Sequence, residues 1–121
     1  MDINFFESAD VPQPRDKIKI ERFEAKPYPD GWRIRIIIEV TPFQERPSLE
    51  IRVQTDEQDG KRHVAELSVI ETMTRHMEFT VHIRGVPSPV GQYIAEADLY
   101  YENLDAPQDR RAVPFTVEAG A

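Results

Sequence analysis

The residues with the clearest chemical potential lie in the stretch ETMTRHMEFTVHIRG, residues 71–85, which holds two of the chain's three histidines. His76 and Glu78 form an H-x-E pair, whose imidazole and carboxylate are both zinc ligands. His76 and His82 stand six residues apart, which is about 20 Å along a strand at about 3.3 Å per residue. Because two imidazoles on one ion must each approach to about 2.1 Å, these histidines cannot share a metal. A site at His76 would need a third ligand from another element.

The same stretch alternates as a β-strand. Its apolar positions are Met77, Phe79, Val81 and Ile83, and its polar positions are Glu78, Thr80, His82 and Arg84. Cross-strand pairs of glutamate and arginine on a solvated face account for the polar set, and the stretch WRIRIIIEV offers Arg33 and Arg35 as partners. We therefore expect no metal and no cofactor. A metal-dependent enzyme built around His76 and Glu78 is the least favoured hypothesis.

Other catalytic signatures are missing from the sequence. The chain has no cysteine, which removes disulfides, thiolate nucleophiles and the usual zinc and iron–sulfur ligand sets. It contains no G-x-S-x-G motif, phosphate-binding loop or dinucleotide fingerprint. The acidic loop DEQDGK, with Asp56, Glu57 and Asp59, lacks the spacing of a calcium-binding EF-hand loop and is typical of a hairpin. We therefore expect a protein that is not an enzyme.

Composition restricts the class of partner. The 121 residues are 40% apolar and 31% charged, with a formal net charge of −7. Nucleic acids and anionic membranes attract clustered basic residues, so this balance disfavours both as partners. No segment approaches the roughly 20 apolar residues of a membrane span, and the first residues lack the basic and apolar regions of a signal peptide. We expect a complete, cytoplasmic protein.

The elements that must position these residues are strands. Seven segments alternate between apolar and polar residues and are separated by turns rich in proline and glycine: 17–24, 32–40, 48–55, 63–71, 77–84, 92–101 and 111–118. One wet face per strand favours antiparallel sheets packed face to face. Phe23 falls out of phase with Ile18 and Ile20, which requires a bulge or a change of face. Pro114 places the last strand at a sheet edge.

The sixth strand carries a family resemblance. The pattern G-x-Y-x-A-x-A-x-L-x-Y, from Gly91 to Tyr101, resembles the penultimate strand of immunoglobulin-like and fibronectin type III-like domains. The closing RRAVPFTVE resembles the last strand of bacterial immunoglobulin-like modules. The resemblance implies an immunoglobulin-like β-sandwich of about seven strands in two sheets over residues 17–121, preceded by an arm, residues 1–16. It also implies that Tyr93 packs at the corner of the sandwich. This fold serves many functions, so the resemblance transfers no site.

Aromatic residues outside the predicted core are candidate contact residues. Phe5 and Phe6 lie in the proline-broken arm and would dock on their own domain or anchor a partner subunit. Tyr28 and Trp32 flank the turn PYPDG, where aromatic rings could stack on a sugar. Trp32 shares the alternation of the apolar residue Ile34, which favours a role in capping the core.

Two further apolar residues fall on polar strand faces, Ile37 in the second strand and Tyr100 in the sixth. A contiguous apolar cluster on such a face would mark an interface. Together these features predict a non-catalytic protein-interaction module that binds a protein partner or forms a homodimer. The contact would be made through an exposed edge strand or the N-terminal arm. The alternative is a carbohydrate-binding module that uses Tyr28 and Trp32.

Overall fold

The computed structural model of the chain describes residues 11–57 and 60–119, and these form an all-β fold. A short 3-10 helix, Arg15–Lys17, precedes seven strands: β1 Ile20–Pro27, β2 Arg33–Val40, β3 Ser48–Thr55, β4 His63–Val69, β5 His76–His82, β6 Gly91–Tyr100 and β7 Asp109–Val117. Phe5 and Phe6 lie outside the described residues. Within the described part of the chain, no helix has the length and apolar character to cross a membrane.

The strands form two antiparallel sheets. The three-stranded sheet has the order β1-β2-β5 and the four-stranded sheet has the order β4-β3-β6-β7. The prediction of an all-β fold with about seven strands in two antiparallel sheets is confirmed. Since each sheet has one apolar face, the two sheets bury those faces against each other.

Alternation explains the core. The inward positions of β2, β3 and β6 are almost completely buried and include Ile34, Ile36, Ile38, Leu49, Ile51 and Leu99. Burying each such side chain contributes about 1.5–3 kcal/mol, so these three strands hold the sheets together. β2 and β3 are joined by residues 41–47, and both strands lie where the alternation of their residues predicts them.

The first strand begins three residues later than predicted. The predicted segment 17–24 starts inside the 3-10 helix, and the strand runs on to Pro27 because the Tyr28 N–H still donates to the Arg33 carbonyl at 2.9 Å. The register between β1 and β2 shifts between Ile20 and Arg22. Beyond that irregularity Phe23 points inward and is buried, so the predicted bulge or change of face is confirmed as a shift of register.

The turn after β1 requires its glycine. Gly31 has a φ of +75°, in the left-handed region, and a Cβ atom there would lie 3.0 Å from the Val117 side chain. At the other end of the chain, Pro114 pairs with Ile94 in β7, which is an edge strand as predicted.

The edge strands of the two sheets meet in pairs on the two lateral sides of the fold. β1 lies beside β7 on one side, and β4 lies beside β5 on the other. We call these the β1–β7 side and the β4–β5 side. They differ in how the backbone at the sheet edges is satisfied.

Candidate functional site

The outer face of the three-stranded sheet is a lattice of ion pairs. The Arg35 guanidinium donates to both carboxylate oxygens of Glu78, at 2.8 and 2.9 Å, and so holds the pKa of Glu78 below its ordinary value. A hydrogen bond from Arg22 and, to a smaller extent, one from Lys26 lower the pKa of Glu24 to about 2. The predicted pairing of glutamate with arginine across strands is therefore confirmed for Glu78.

The histidine that could have anchored a metal is engaged by its neighbours. The Arg75 guanidinium donates a hydrogen bond to His76 Nε2 at 2.8 Å, and His76 Nδ1 lies 3.4 Å from the Glu39 carboxylate. His82 pairs with Arg33, at the far end of β5. Within residues 11–57 and 60–119, no three histidine or carboxylate side chains are grouped to hold a metal ion.

The exposure expected for Ile37 is wrong. Ile37 lies on the outer face between Glu24 of β1 and Glu78 of β5, yet only 8% of its surface is exposed. Long side chains covering an apolar residue with their aliphatic stems explain this burial. Arg22 and Arg35 line the surface depression over Ile37 and are held there by their carboxylate partners.

Tyr28 and Trp32 differ in environment. The Tyr28 hydroxyl lies 3.2 Å from the Thr80 hydroxyl, and the Arg33 guanidinium lies 4.4 Å above the centre of the Tyr28 ring. Arg33 therefore covers one face of that ring. Trp32 keeps 38% of its surface exposed, whereas Ile34 is fully buried. The carbohydrate-binding alternative stays a prediction.

Tyr100 is half-buried on the outer face of the four-stranded sheet, where it pairs with Ser48. The most buried polar group of that face is Asp98, which is 3% exposed. Its carboxylate accepts hydrogen bonds from Arg52 at 3.1 Å and from Arg110 at 2.9 Å. Two arginines thus compensate one buried carboxylate, an arrangement that satisfies its charge.

On the β1–β7 side, side chains of β7 satisfy the backbone of β1. The Ile20 N–H donates to the Asp109 carboxylate at 2.7 Å, and the Ile20 carbonyl accepts from the Arg111 guanidinium at 2.9 Å. The Gln108 amide adds a bond to the Ile18 carbonyl at 2.7 Å. Both polar groups of Ile20 that could bind another strand are therefore occupied.

On the β4–β5 side, two hydrogen bonds join the segments beside β4 and β5 past the end of β5, and the Thr72 hydroxyl bonds the Met77 sulfur at 3.2 Å near its start. The Arg84 N–H donates to the Val64 carbonyl at 3.0 Å, and the Arg62 side chain donates to the Gly85 carbonyl at 3.1 Å. Farther along this side, the apolar residues Leu67, Val69 and Phe79 are only half-buried. Beyond β4, Ile70 is 65% exposed and Met73 is 82% exposed.

The phase of the β2–β5 ladder determines which β5 backbone groups face outward. The Val40 N–H donates to the Arg75 carbonyl at 3.0 Å, and the Ile83 N–H donates to the Trp32 carbonyl at 2.7 Å. These bonds flank the ladder at its two ends. Hydrogen-bonded pairs alternate with non-bonded pairs in an antiparallel ladder. The two flanking bonds therefore determine which of the residue pairs between them are hydrogen-bonded.

The outward-facing groups of β5 follow from that phase. The bonded pairs are Ile38–Met77, Ile36–Phe79 and Ile34–Val81. The N–H and C=O groups of the remaining residues point away from β2, toward the β4–β5 side; these residues are His76, Glu78, Thr80 and His82. Both groups of His76 are bonded to the Thr74 hydroxyl, at 3.4 and 3.2 Å, so the row that faces another strand runs from Glu78 to His82. β5 is therefore a sheet edge with a regular row of outward donors and acceptors. We call this row the β5 edge.

The sequence pattern does not reveal this site, because alternation reports where side chains point and not the phase of backbone hydrogen bonds. It does not reveal Asp109 and Arg111 either, since neither lies in a motif. The only available signal was the absence of proline, lysine and arginine from HMEFTVH, residues 76–82.

No protein-family model and no curated protein sequence matches the chain significantly.

Proposed function

We propose that the chain is a cytoplasmic immunoglobulin-like domain without catalytic activity, and that it binds a protein partner at the β5 edge. The immunoglobulin-like assignment is supported by Tyr93. Its buried ring stacks on Phe115 with ring centres 5.2 Å apart, and its hydroxyl donates to the Pro89 carbonyl at 2.7 Å. A tyrosine near the start of this strand that bonds back to the preceding loop is typical of these sandwiches.

The observation that carries the interaction function is the outward row of N–H and C=O groups on β5. Such a row matches the backbone of another extended chain, which adds to the sheet as a new strand. A sugar or a metal ion has no comparable repeat of donors and acceptors. The half-buried Phe79, on the inner side of β5, offers an apolar contact next to the row.

The side chains around the β5 edge permit such an addition. Thr80 is exposed, and the carboxylate of Glu78 is drawn back onto the outer face by Arg35. An approaching strand therefore meets no unpaired charge at the centre of the edge. The N-terminal arm with Phe5 and Phe6 is a second route to a partner, and it stays a prediction.

Site-specific photo-cross-linking tests the proposal because it captures whichever protein lies against a chosen residue. A benzophenone amino acid replaces Thr80 in the full chain, expressed in cells, and a matched variant carries it at Ala112. Ala112 is an exposed residue of β7, on the opposite lateral side. Irradiation is followed by electrophoresis and mass spectrometry of any higher-mass product.

The expected result is a covalent adduct between a protein and position 80, with no such adduct from position 112. An adduct from both positions, or from neither, would contradict binding at the β5 edge. A soluble, folded variant at position 80 is required, and this is checked by circular dichroism before irradiation.

A further inference from the structure

We propose that the partner is a second copy of this chain, and that two β5 strands pair antiparallel about a two-fold axis at Phe79. This inference rests on the proposed function, since it names the occupant of the β5 edge. The result would be one continuous six-stranded sheet with the order β1-β2-β5-β5-β2-β1. A two-fold interface of this kind uses the same patch on both copies.

The backbone fits this register. With the axis at Phe79, Glu78 of one copy stands opposite Thr80 of the other, and His76 stands opposite His82. The Glu78 and Thr80 groups point outward, so each Glu78–Thr80 pair can exchange two hydrogen bonds. The His76–His82 pairs form when the Thr74 hydroxyl releases the His76 backbone, which it bonds at 3.4 and 3.2 Å. The register also uses the whole of β5, from His76 to His82.

The side chains fit the same register because the sequence HMEFTVH is nearly palindromic around its central phenylalanine. On the inner face, Phe79 meets Phe79 of the second copy and Met77 meets Val81, which extends the apolar row of β5. On the outer face, Glu78 meets the neutral Thr80. Aromatic and apolar pairs across strands are favourable, and no like-charged carboxylates are brought together.

Charge selects this register over its neighbour. Moving the axis by one residue to Glu78 would place the two Glu78 side chains directly opposite each other, which is destabilising. Moving the axis by one residue to Thr80 would require a hydrogen bond from the N–H of Arg84, which already donates to the Val64 carbonyl. The axis at Phe79 avoids both of these costs, and the one bonded backbone it needs is that of His76, which is held by the Thr74 hydroxyl alone.

A charge pair at position 80 tests both the dimer and its register. Thr80→Glu would face Glu78 of the second copy, whereas Thr80→Lys would form an ion pair with it. Both variants lose the same contact with the Tyr28 hydroxyl, so each is the other's control. Within one copy, the nearest charge across the strands is Arg35, so the monomer should be more stable with glutamate at position 80 than with lysine. The dimer should instead bind more tightly with lysine, so an effect on monomer stability cannot imitate the effect on dimer affinity.

The measurement is sedimentation equilibrium of the full-length chain over a range of concentrations. Wild type is expected to rise from 14.0 kDa toward twice that mass. Each dimer contains two copies of the contact, so each substitution is expected to change the dimer dissociation constant by about two- to thirtyfold. Thr80→Glu raises that constant and Thr80→Lys lowers it.

Three results would overturn the inference. The first is a wild-type mass of 14.0 kDa at every concentration. The second is a dimer dissociation constant that Thr80→Glu and Thr80→Lys change in the same direction. The third is a dimer that is lost in a Phe5→Ala, Phe6→Ala double variant but persists in Thr80→Glu. The cross-linking experiment separates the two proposals. An adduct at position 80 with a different protein keeps the β5 edge and removes the second copy, whereas no adduct at position 80 removes both.

Discussion

The two lateral sides of the sandwich treat their sheet edges in opposite ways. On the β1–β7 side, Asp109 and Arg111 bond both polar groups of Ile20, and a bulge interrupts β1 just after it. β1 ends in Pro27 and β7 contains Pro114, residues that have no N–H to offer. On the β4–β5 side, strand β5 contains no proline, lysine or arginine and presents its outward groups in a regular row.

This fold is protected against pairing with other chains mainly on its β1–β7 side. Proline, bulges and charged side chains at an edge are the means by which sheets avoid unwanted pairing. All of them occur on the β1–β7 side, whereas β5 has no proline, no bulge, no lysine and no arginine, and its one carboxylate, Glu78, is held on the outer face by Arg35. A sequence that protects the β1–β7 side so thoroughly and leaves β5 regular supports a binding role for β5.

Proline substitution in β5 gives the largest expected contrast. Phe79→Pro removes an N–H that donates to β2 and leaves the Ile36 carbonyl without its partner, so we expect a loss of about 3 kcal/mol or more in unfolding free energy. Thr80→Pro removes an outward N–H and should cost less than about 1 kcal/mol in the monomer. Urea unfolding at low protein concentration measures both. Equal losses would mean that the phase assigned to the ladder is wrong.

On the β1–β7 side, Asp109→Ala should destabilise the monomer by about 1–3 kcal/mol, because the Ile20 N–H then loses its acceptor in a partly buried position. Asp105→Ala removes a carboxylate from the neighbouring turn, where the residue is exposed, and should change stability by less than about 0.5 kcal/mol. Chemical unfolding of the two variants is the comparison. Similar values for both would remove the closing role of Asp109.

The smallest expected effect compares glutamates of the two edge strands. Glu24 of β1 has two cationic partners, Arg22 and Lys26, and a pKa of about 2, whereas among the described residues the cationic partner of Glu78 in β5 is Arg35. Both pKa values lie below the ordinary value. Each carboxylate therefore stabilises the fold at a pH above its ordinary pKa. That contribution to stability is lost as the pH falls through the lowered pKa of the folded protein.

As the pH falls, we expect Glu78 to take up its proton before Glu24, and carbon-detected NMR titration of the side-chain carboxyls measures the order. In Arg22→Gln the pKa of Glu24 should rise more than in Lys26→Gln, because the Arg22 hydrogen bond is the larger cause of its shift. The reverse order of titration would contradict the ion-pair geometry of this face.

Much of the fold was predictable from alternation. The β2 sequence RIRIIIEV places an isoleucine or valine at every second position, and burial of those positions follows directly from the pleat of a strand. The bulge near Phe23 was predictable for the same reason, since an apolar residue out of phase can reach the core only if the register shifts. The start of β1 was not, because the boundary depends on a 3-10 turn and on tertiary contacts.

The candidate site was less accessible to sequence reasoning. Ile37 has the parity of an exposed residue and is buried only because charged side chains fold over it. The Asp109 carboxylate accepts a hydrogen bond from the Ile20 N–H across the gap between the sheets, and the two residues are 89 positions apart in the chain. Neither contact leaves a local pattern. The outward groups of β5 depend on hydrogen-bond phase, which a side-chain pattern does not encode.

Amide hydrogen exchange tests the central difference between the two sides most directly. At low protein concentration, the Ile20 amide should exchange slowly because Asp109 holds it, while the Glu78 and Thr80 amides should exchange at nearly the rate of an unprotected chain. At high concentration, the Glu78 and Thr80 amides should become protected and the Ile20 amide should not change. Protection of Glu78 and Thr80 that is already complete at low concentration, or that never appears, would contradict a β5 edge open to a second copy.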